Sequence, residues 1–233
     1  MVGAALPLPA AVFFDMDGLL VDTEPIWLAA EHDVMDSLGA PWGPEHQNAL
    51  VGGSMETTVA YMIEIAGHGD AAQLESSLLA EMTRRLATEH IDIKPGALEL
   101  LDALAACDIP TALVSASFRA QMDQVLDHVG PERFTTTVAG DEVARRKPAP
   151  DGYLLAAQRL FVRPQDCVVL EDSLNGSLSG QAAGCLVITV PSVVEVPPAP
   201  GRLVRRSLAE LTPASLATDL AEELARGAPG ATD

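Results

Sequence analysis

Short apolar runs, most followed by a helical pattern, constrain this chain more than any other feature. Residues 11–15 (AVFFD), 111–115 (TALVS), 136–139 (TTVA), 167–171 (CVVLE) and 186–190 (LVITV) are continuous rather than alternating. Strands buried on both faces have that pattern. From the second run onward, helical spacing fills the intervals. Leu98, Leu101 and Leu104 share a face within 96–106. Met122, Val125, Leu126 and Val129 share one within 118–129, and 150–160 and 176–183 follow. Strand alternating with helix predicts an α/β fold, a Rossmann-like doubly wound parallel sheet.

The interval between the first two runs is too long for a single crossover helix. It extends from Gly18 to Pro110, with no strand-like alternation between Glu24 and His90. Asp22-Thr23 before Glu24-Pro25 is a helix start, with proline in the first turn and an acid near the positive end of the dipole. Ser54 can cap a helix that ends before Gly67, and Asp70 with Gln73 resembles a capping box. Residues 23–93 therefore predict an inserted all-helical cap domain, and residues 1–22 and 94–233 the α/β core. A hinge is expected near Ile93-Lys94-Pro95-Gly96. The tail after Pro191 holds Pro197-Pro198-Ala199-Pro200 and then a helical run over 213–225.

Charge excludes some partners. Lys plus Arg number 14 and Asp plus Glu 33, a net charge of −19. Nucleic acid and anionic membrane surfaces repel such a chain, so neither is expected as a partner. No uncharged apolar run approaches the roughly 20 residues of a bilayer span. The first ten residues lack the basic start of a signal peptide, and Pro7 and Pro9 break their apolar stretch. Cys107, Cys167 and Cys185 have no metal-type spacing and read as reduced core thiols. The expectation is a cytoplasmic protein, monomeric or weakly dimeric.

In an open parallel sheet, ligands bind beyond the carboxyl ends of the strands. There the first run ends in Asp15-Met16-Asp17-Gly18, the second in Ser115-Ala116-Ser117 and the fourth in Glu171-Asp172-Ser173. The loop after the third leads to Lys147-Pro148. Asp15 and Asp172, with Glu171 close by, are oxygen ligands suited to Mg2+. Without a cation these acids would raise one another's pKa. A phosphate held there would find donors in Ser115, backbone N–H groups and Lys147. A carboxylate could attack phosphorus and form an aspartyl-phosphate, a reaction that needs mostly positioning and charge neutralisation. The acid two residues on could protonate the leaving oxygen and then activate water.

These four segments, in this order, resemble the motifs of the haloacid dehalogenase superfamily over about residues 11–190, and the helical insert resembles its cap. FFDMDGLLVDTEP, KPAPDGYLLAA and VVLEDSLNG are similar to the β-phosphoglucomutase-like subgroup, particularly to its hexitol and 2-deoxyglucose phosphate phosphatases. The resemblance implies that Asp15 is the nucleophile and a metal ligand. It makes Asp17 the general acid and base, its backbone carbonyl also reaching the metal. Ser115 and Lys147, with Gly18 and Ala116, would bind the phosphoryl group. Glu171 and Asp172 would complete the metal site, directly or through water. Trp27 either faces the substrate or staples the cap's core, and Gly52-Gly53-Ser54 is either the cap's substrate loop, with Gly53 against the ligand, or a helix break.

Departures narrow the choice. Dehalogenases do not keep the second acid, here Asp17. Phosphonate hydrolases need a cap lysine, whereas the only lysines are Lys94 and Lys147. β-Phosphoglucomutases carry a His after the first motif and an Arg in the cap loop, where this chain has Trp27 and Met55. Without those two residues the phosphoenzyme should lose its group to water. The expected function is Mg2+-dependent hydrolysis of a small phosphorylated metabolite, a sugar or polyol phosphate. A phosphosugar mutase is the alternative, and a non-catalytic binding or regulatory module another, although a binder has no need of Asp17. In the cap, twelve acids oppose only Arg84 and Arg85. That balance suits a neutral polyol leaving group, or simply forms a solvated face. Ser117 and Asn175 read as supporting or capping groups, Arg145 and Arg146 as solvated, and the five histidines as surface or packing residues.

Overall fold

Burial on both faces decides which runs become strands. A computed structural model describes residues 6–50 and 55–227. β1 (Ala11–Phe14) is fully buried and pairs in parallel with β4 (Thr111–Val114) on one side and β6 (Cys167–Glu171) on the other. β5 (Thr136–Val138) lies beyond β4, while β7 (Leu186–Thr189) and β8 (Arg202–Val204) extend the other side. The all-parallel order is β5-β4-β1-β6-β7-β8. The strand order reverses at β1, which makes its carboxyl end the crevice where ligands bind in such sheets. Helices α5 (Ala97–Ala105), α6 (Arg119–Val129), α7 (Asp151–Arg159), α8 (Leu174–Ala183) and α9 (Pro213–Gly227) complete the α/β layers.

Three strands were not expected from the sequence. β8 falls in the tail read as loop and helix. It has three residues, begins with Arg202 and lies at the sheet edge, so it lacks the apolar run of a central strand. β2 (Val21–Asp22) and β3 (Asp92–Ile93) form a two-residue antiparallel ribbon at the two ends of the helical insert. The Lys94 N–H donates to the Leu20 carbonyl at 2.9 Å, and Lys94 pairs with Asp22 at 3.2 Å. A hydrogen-bonded ribbon thus stands beside the segment where a hinge is expected.

Between β2 and β3 stand α1 (Glu24–Ser37), α2 (Pro44–Leu50), α3 (Met55–Ala66) and α4 (Ala71–Thr88). Asp70 caps α4, accepting the Gln73 N–H at 2.9 Å as the sequence predicts. Leu74, Leu78, Met82 and Leu86 recur at i, i+4 and are buried in one cluster with Ile26, Ala30 and Val34 of α1. Each such side chain contributes about 1.5–3 kcal/mol on burial. α4 also closes onto the core. The Gln121 Nε2 of α6 donates to the Leu79 carbonyl at 3.2 Å and to the Thr83 Oγ1 at 2.9 Å. The predicted cap by Ser54, and Gly53 with it, lie outside the described residues. Cys167 and Cys185 are buried as expected, but Cys107 is exposed, because α5 has ended before it. Among the described residues no helix is long and apolar enough to cross a membrane.

Candidate active site

Strand ends bring the predicted residues together. The Asp15 N–H stays in the sheet, donating to the Leu170 carbonyl at 3.0 Å, while the chain then turns through Met16 to Gly18. Gly18 has φ +82°, and a Cβ there would lie 2.0 Å from Asp172 Oδ2. Glycine is needed so that this loop can pack against the carboxylate that follows β6. Gly176 serves Glu171 similarly: a Cβ would stand 1.8 Å from Glu171 Oε1, so α8 can begin against that side chain.

Lys147 is the hub. Its Nζ donates to Asp15 Oδ1, to the Val114 carbonyl at 2.9 Å and to Glu171 Oε1 at 2.6 Å. Glu171 is fully buried and also accepts the Tyr153 hydroxyl at 2.8 Å, the Ser173 hydroxyl at 3.1 Å and the Asp172 N–H at 3.1 Å. Asp172 accepts the Ser192 hydroxyl at 2.5 Å. Asp17 faces another set of donors, accepting Thr23 Oγ1 at 2.7 Å, Ser115 Oγ at 3.1 Å and Ser117 Oγ at 2.8 Å. Ser115 in turn accepts the Ser117 N–H at 2.9 Å.

Asp15, Glu171 and Asp172 each offer an oxygen within 4.8 Å of the others. The Asp17 side chain is not in that cluster, being turned toward its three hydroxyls. Burial, then the charge of Glu171, pushes the Asp15 carboxyl well above its usual range; Lys147 opposes, and Asp172 and Asp17 add to the rise. Burial and Glu171 likewise push Asp172 up to about 7, against the Ser192 hydrogen bond and Lys147. Burial alone would lower the Lys147 pKa, but Asp15 and Glu171 outweigh it and keep the ammonium charged. Three carboxylates against one ammonium leave negative charge in excess. The all-oxygen donor set therefore suits a hard divalent cation.

Above this floor lies a cavity of about 790 Å³ between the carboxyl edge of the sheet and the helical insert. Asp17, Ala116 and Lys147 line it from below; Trp27, Glu31 and Met55 line it from the cap. Asp15 and Ser115 are buried and joined to the floor through Lys147 and Asp17. Trp27 lines the cavity and also packs on the apolar cluster shared by α1 and α4. Arg145 is exposed as expected, but Arg146 is not simply solvated: its guanidinium lies 4.2 Å over the Phe118 ring on the cavity wall. Thr23, Tyr153, Ser192 and Glu31 were not foreseen as site residues. Thr23 read as a helix cap, yet its side chain makes no cap hydrogen bond and reaches Asp17 instead. Tyr153 stands within the KPAPDGYLLAA stretch and was the one phenol that could have been suspected.

Residues 12–190 match the haloacid dehalogenase-like hydrolase family. The chain is 36% identical over 198 residues to Hexitol phosphatase A of Escherichia coli K12, covering 79% of this chain and 84% of that protein. It is 34% identical over 186 residues to Fructose-1-phosphate phosphatase YqaB of the same organism, covering 78% and 96%. The crystal structure of CbbY from Rhodobacter sphaeroides in complex with phosphate superposes with a TM-score of 0.76 at 27% identity, over 87% of this chain and 96% of that one. The matched span runs from β1 past β7 and contains every one of the four motif segments. The chain belongs to the haloacid dehalogenase-like hydrolases.

Proposed function

We propose that the protein is a Mg2+-dependent phosphatase that hydrolyses a small phosphomonoester, a sugar or polyol phosphate, through an aspartyl-phosphate. The observation that carries this reading is that Asp15, Asp17, Ser115, Lys147 and Asp172, from three strand ends and one loop, are brought together: Lys147 bonds Asp15, Ser115 bonds Asp17, and Asp15 and Asp172 each offer an oxygen within 4.8 Å of the other. Asp15 attacks phosphorus while Lys147 balances charge on the phosphoryl oxygens. Asp17 protonates the departing alkoxide, and its carboxylate then takes a proton from the water that cleaves the acyl phosphate, which returns free Asp15 and inorganic phosphate. Asp15 and Asp172 would hold Mg2+, which would supply charge neutralisation. Every oxygen of Glu171 already accepts internal donors, which favours its acting through water and through its grip on Lys147.

Residues 23–93 would move as the cap on the β2/β3 ribbon, closing to exclude bulk water. Thr23, the first cap residue, is bonded to Asp17, so cap position and the proton-transfer group would be linked. Trp27 and Met55 line the cavity where a mutase would need a histidine and an arginine, which supports transfer to water. The enzyme would act in the cytoplasm as a monomer or weak dimer.

Phosphate release from p-nitrophenyl phosphate tests the reading. Turnover is expected with Mg2+, lost in EDTA and restored by excess Mg2+. No turnover at any Mg2+ concentration overturns it, and isomer interconversion outpacing phosphate release, when primed with a sugar bisphosphate, assigns the mutase instead.

A further inference from the structure

The cavity is far larger than a phosphoryl group needs, and the hydrolase reading leaves its cap wall without a task. On α1, Glu24, Trp27 and Glu31 follow at i, i+3 and i+7 and so share the face that lines it. Glu31 is only 5% exposed. One of its oxygens accepts the Trp42 Nε1–H at 2.9 Å. Trp42, itself 7% exposed, is stacked on His46 with centroids 4.8 Å apart and meets Tyr61 edge-on at 5.8 Å. An aromatic cluster thus holds the carboxylate from behind. The second oxygen has no hydrogen bond among the described residues.

We propose that Glu31 is a specificity-determining residue: its second oxygen accepts a hydrogen bond from a hydroxyl of an uncharged polyhydroxyl leaving group, several carbons from phosphorus. This rests on the hydrolase reading above. Glu31 lines the cavity, so a hydroxyl bound there can donate to that oxygen in place of water. Burial, opposed by the Trp42 bond and helped by Glu24, raises this carboxyl to about 7, so it stands near the balance of its two forms. Position sets the length of the leaving group. Glu31 stands eight residues past Thr23, about 12 Å further along the helix axis, and Thr23 is bonded to Asp17. A two- or three-carbon group ends short of it.

Charge sets the class. The cap's two arginines are held elsewhere: Arg85 by Asp33, Glu81 and Glu89, and Arg84 by Glu81. Lys147 and Arg146 line the cavity from the core side. A second anionic group at the cap end would meet Glu24, Glu31 and Glu56 instead.

The test compares kcat/KM for sorbitol 6-phosphate, glycerol 3-phosphate, fructose 1,6-bisphosphate and p-nitrophenyl phosphate in the wild-type protein, Glu31→Leu and Glu31→Gln. In Glu31→Leu the ratio of the sorbitol to the glycerol ester should fall about tenfold or more, mainly through KM. The bisphosphate should gain relative to the sorbitol ester. If Glu31→Leu does not fold, Glu31→Gln decides, with an expected fall of about threefold or more, since Trp42 claims the amide oxygen and turns a donor to the cavity. Ratios unchanged in variants that still cleave p-nitrophenyl phosphate overturn the role of Glu31 and leave the hydrolase reading standing. A wild-type protein that releases phosphate from none of the four esters overturns both.

Discussion

On the core side of the cavity, Lys147 donates to three acceptors, Glu171 takes donors on both oxygens, and Asp17 holds three hydroxyls. On the cap side, Glu31 has a single hydrogen bond among the described residues, from Trp42. The two regions bound the same space, yet one is satisfied from within and the other in part. A saturated network fixes atoms, which suits groups that must meet phosphorus in one geometry. A wall with an unmet acceptor suits a group that is chosen rather than transformed.

Substitutions on the floor should separate chemistry from folding. Asp15→Asn removes the attacking oxygen but keeps its shape, and it also removes a charge that burial and Glu171 penalise. The expected result is a kcat lower by about 10³-fold or more, with an unchanged circular dichroism spectrum and a melting temperature at or above that of the wild type. Full Mg2+-dependent turnover would break the contrast at its root. Asp17→Asn should slow turnover by about 10²–10⁴-fold; an unchanged rate would show that another group carries the proton. Lys147→Met leaves Asp15 and Glu171 as unpaired buried acids, a loss of about 3–5 kcal/mol. At this chain length that lowers the melting temperature by ~10 °C. A shift within error would mean that the floor does not depend on its ammonium.

The same contrast explains what could be read from the sequence. Parallel strands buried on both faces leave uninterrupted apolar runs, so the central strands were legible to within a residue, and with them the acids and the hydroxyl at their ends. β8 was hidden because an edge strand of three residues, opened by an arginine, carries no such run. The ribbon of β2 and β3 was hidden because two residues a side carry no period. Floor residues with a motif are legible, and so is Ser117 as a support of Asp17, but Thr23, Tyr153 and Ser192 are not. Thr23 has the residue type of a helix cap, and only its tertiary contact gives it to Asp17. Among a dozen cap acids that suit a polyol leaving group or form a solvated face, Glu31 does not stand out, because a carboxylate on an amphipathic helix reads the same whether it meets water or a cavity. Its spacing of seven from Glu24, with Trp27 between, was the one signal that those residues share a wall.

A stability measurement sharpens the comparison on the cap side without any substrate. Glu31 titrates near 4.5 when unfolded and is pushed up to about 7 by burial and by Glu24, against the Trp42 bond. Below pH 4.5 both states hold the proton and folding is not penalised. Between there and 7 the unfolded chain releases a proton that the folded chain keeps, so the contribution of this group to stability drains away as pH rises, and above 7 it is gone. The full loss is about 3 kcal/mol. Glu31→Gln cannot titrate, while the floor acids titrate alike in both proteins and cancel in the difference. The melting temperature of the variant relative to the wild type should therefore climb between pH 5 and pH 8, by several degrees at this chain length. A flat difference would mean that the carboxylate is solvated or paired in solution, and the wall would then be as self-contained as the floor. A climbing one would show that Glu31 opposes folding at neutral pH, as expected of a group whose partner arrives with the substrate.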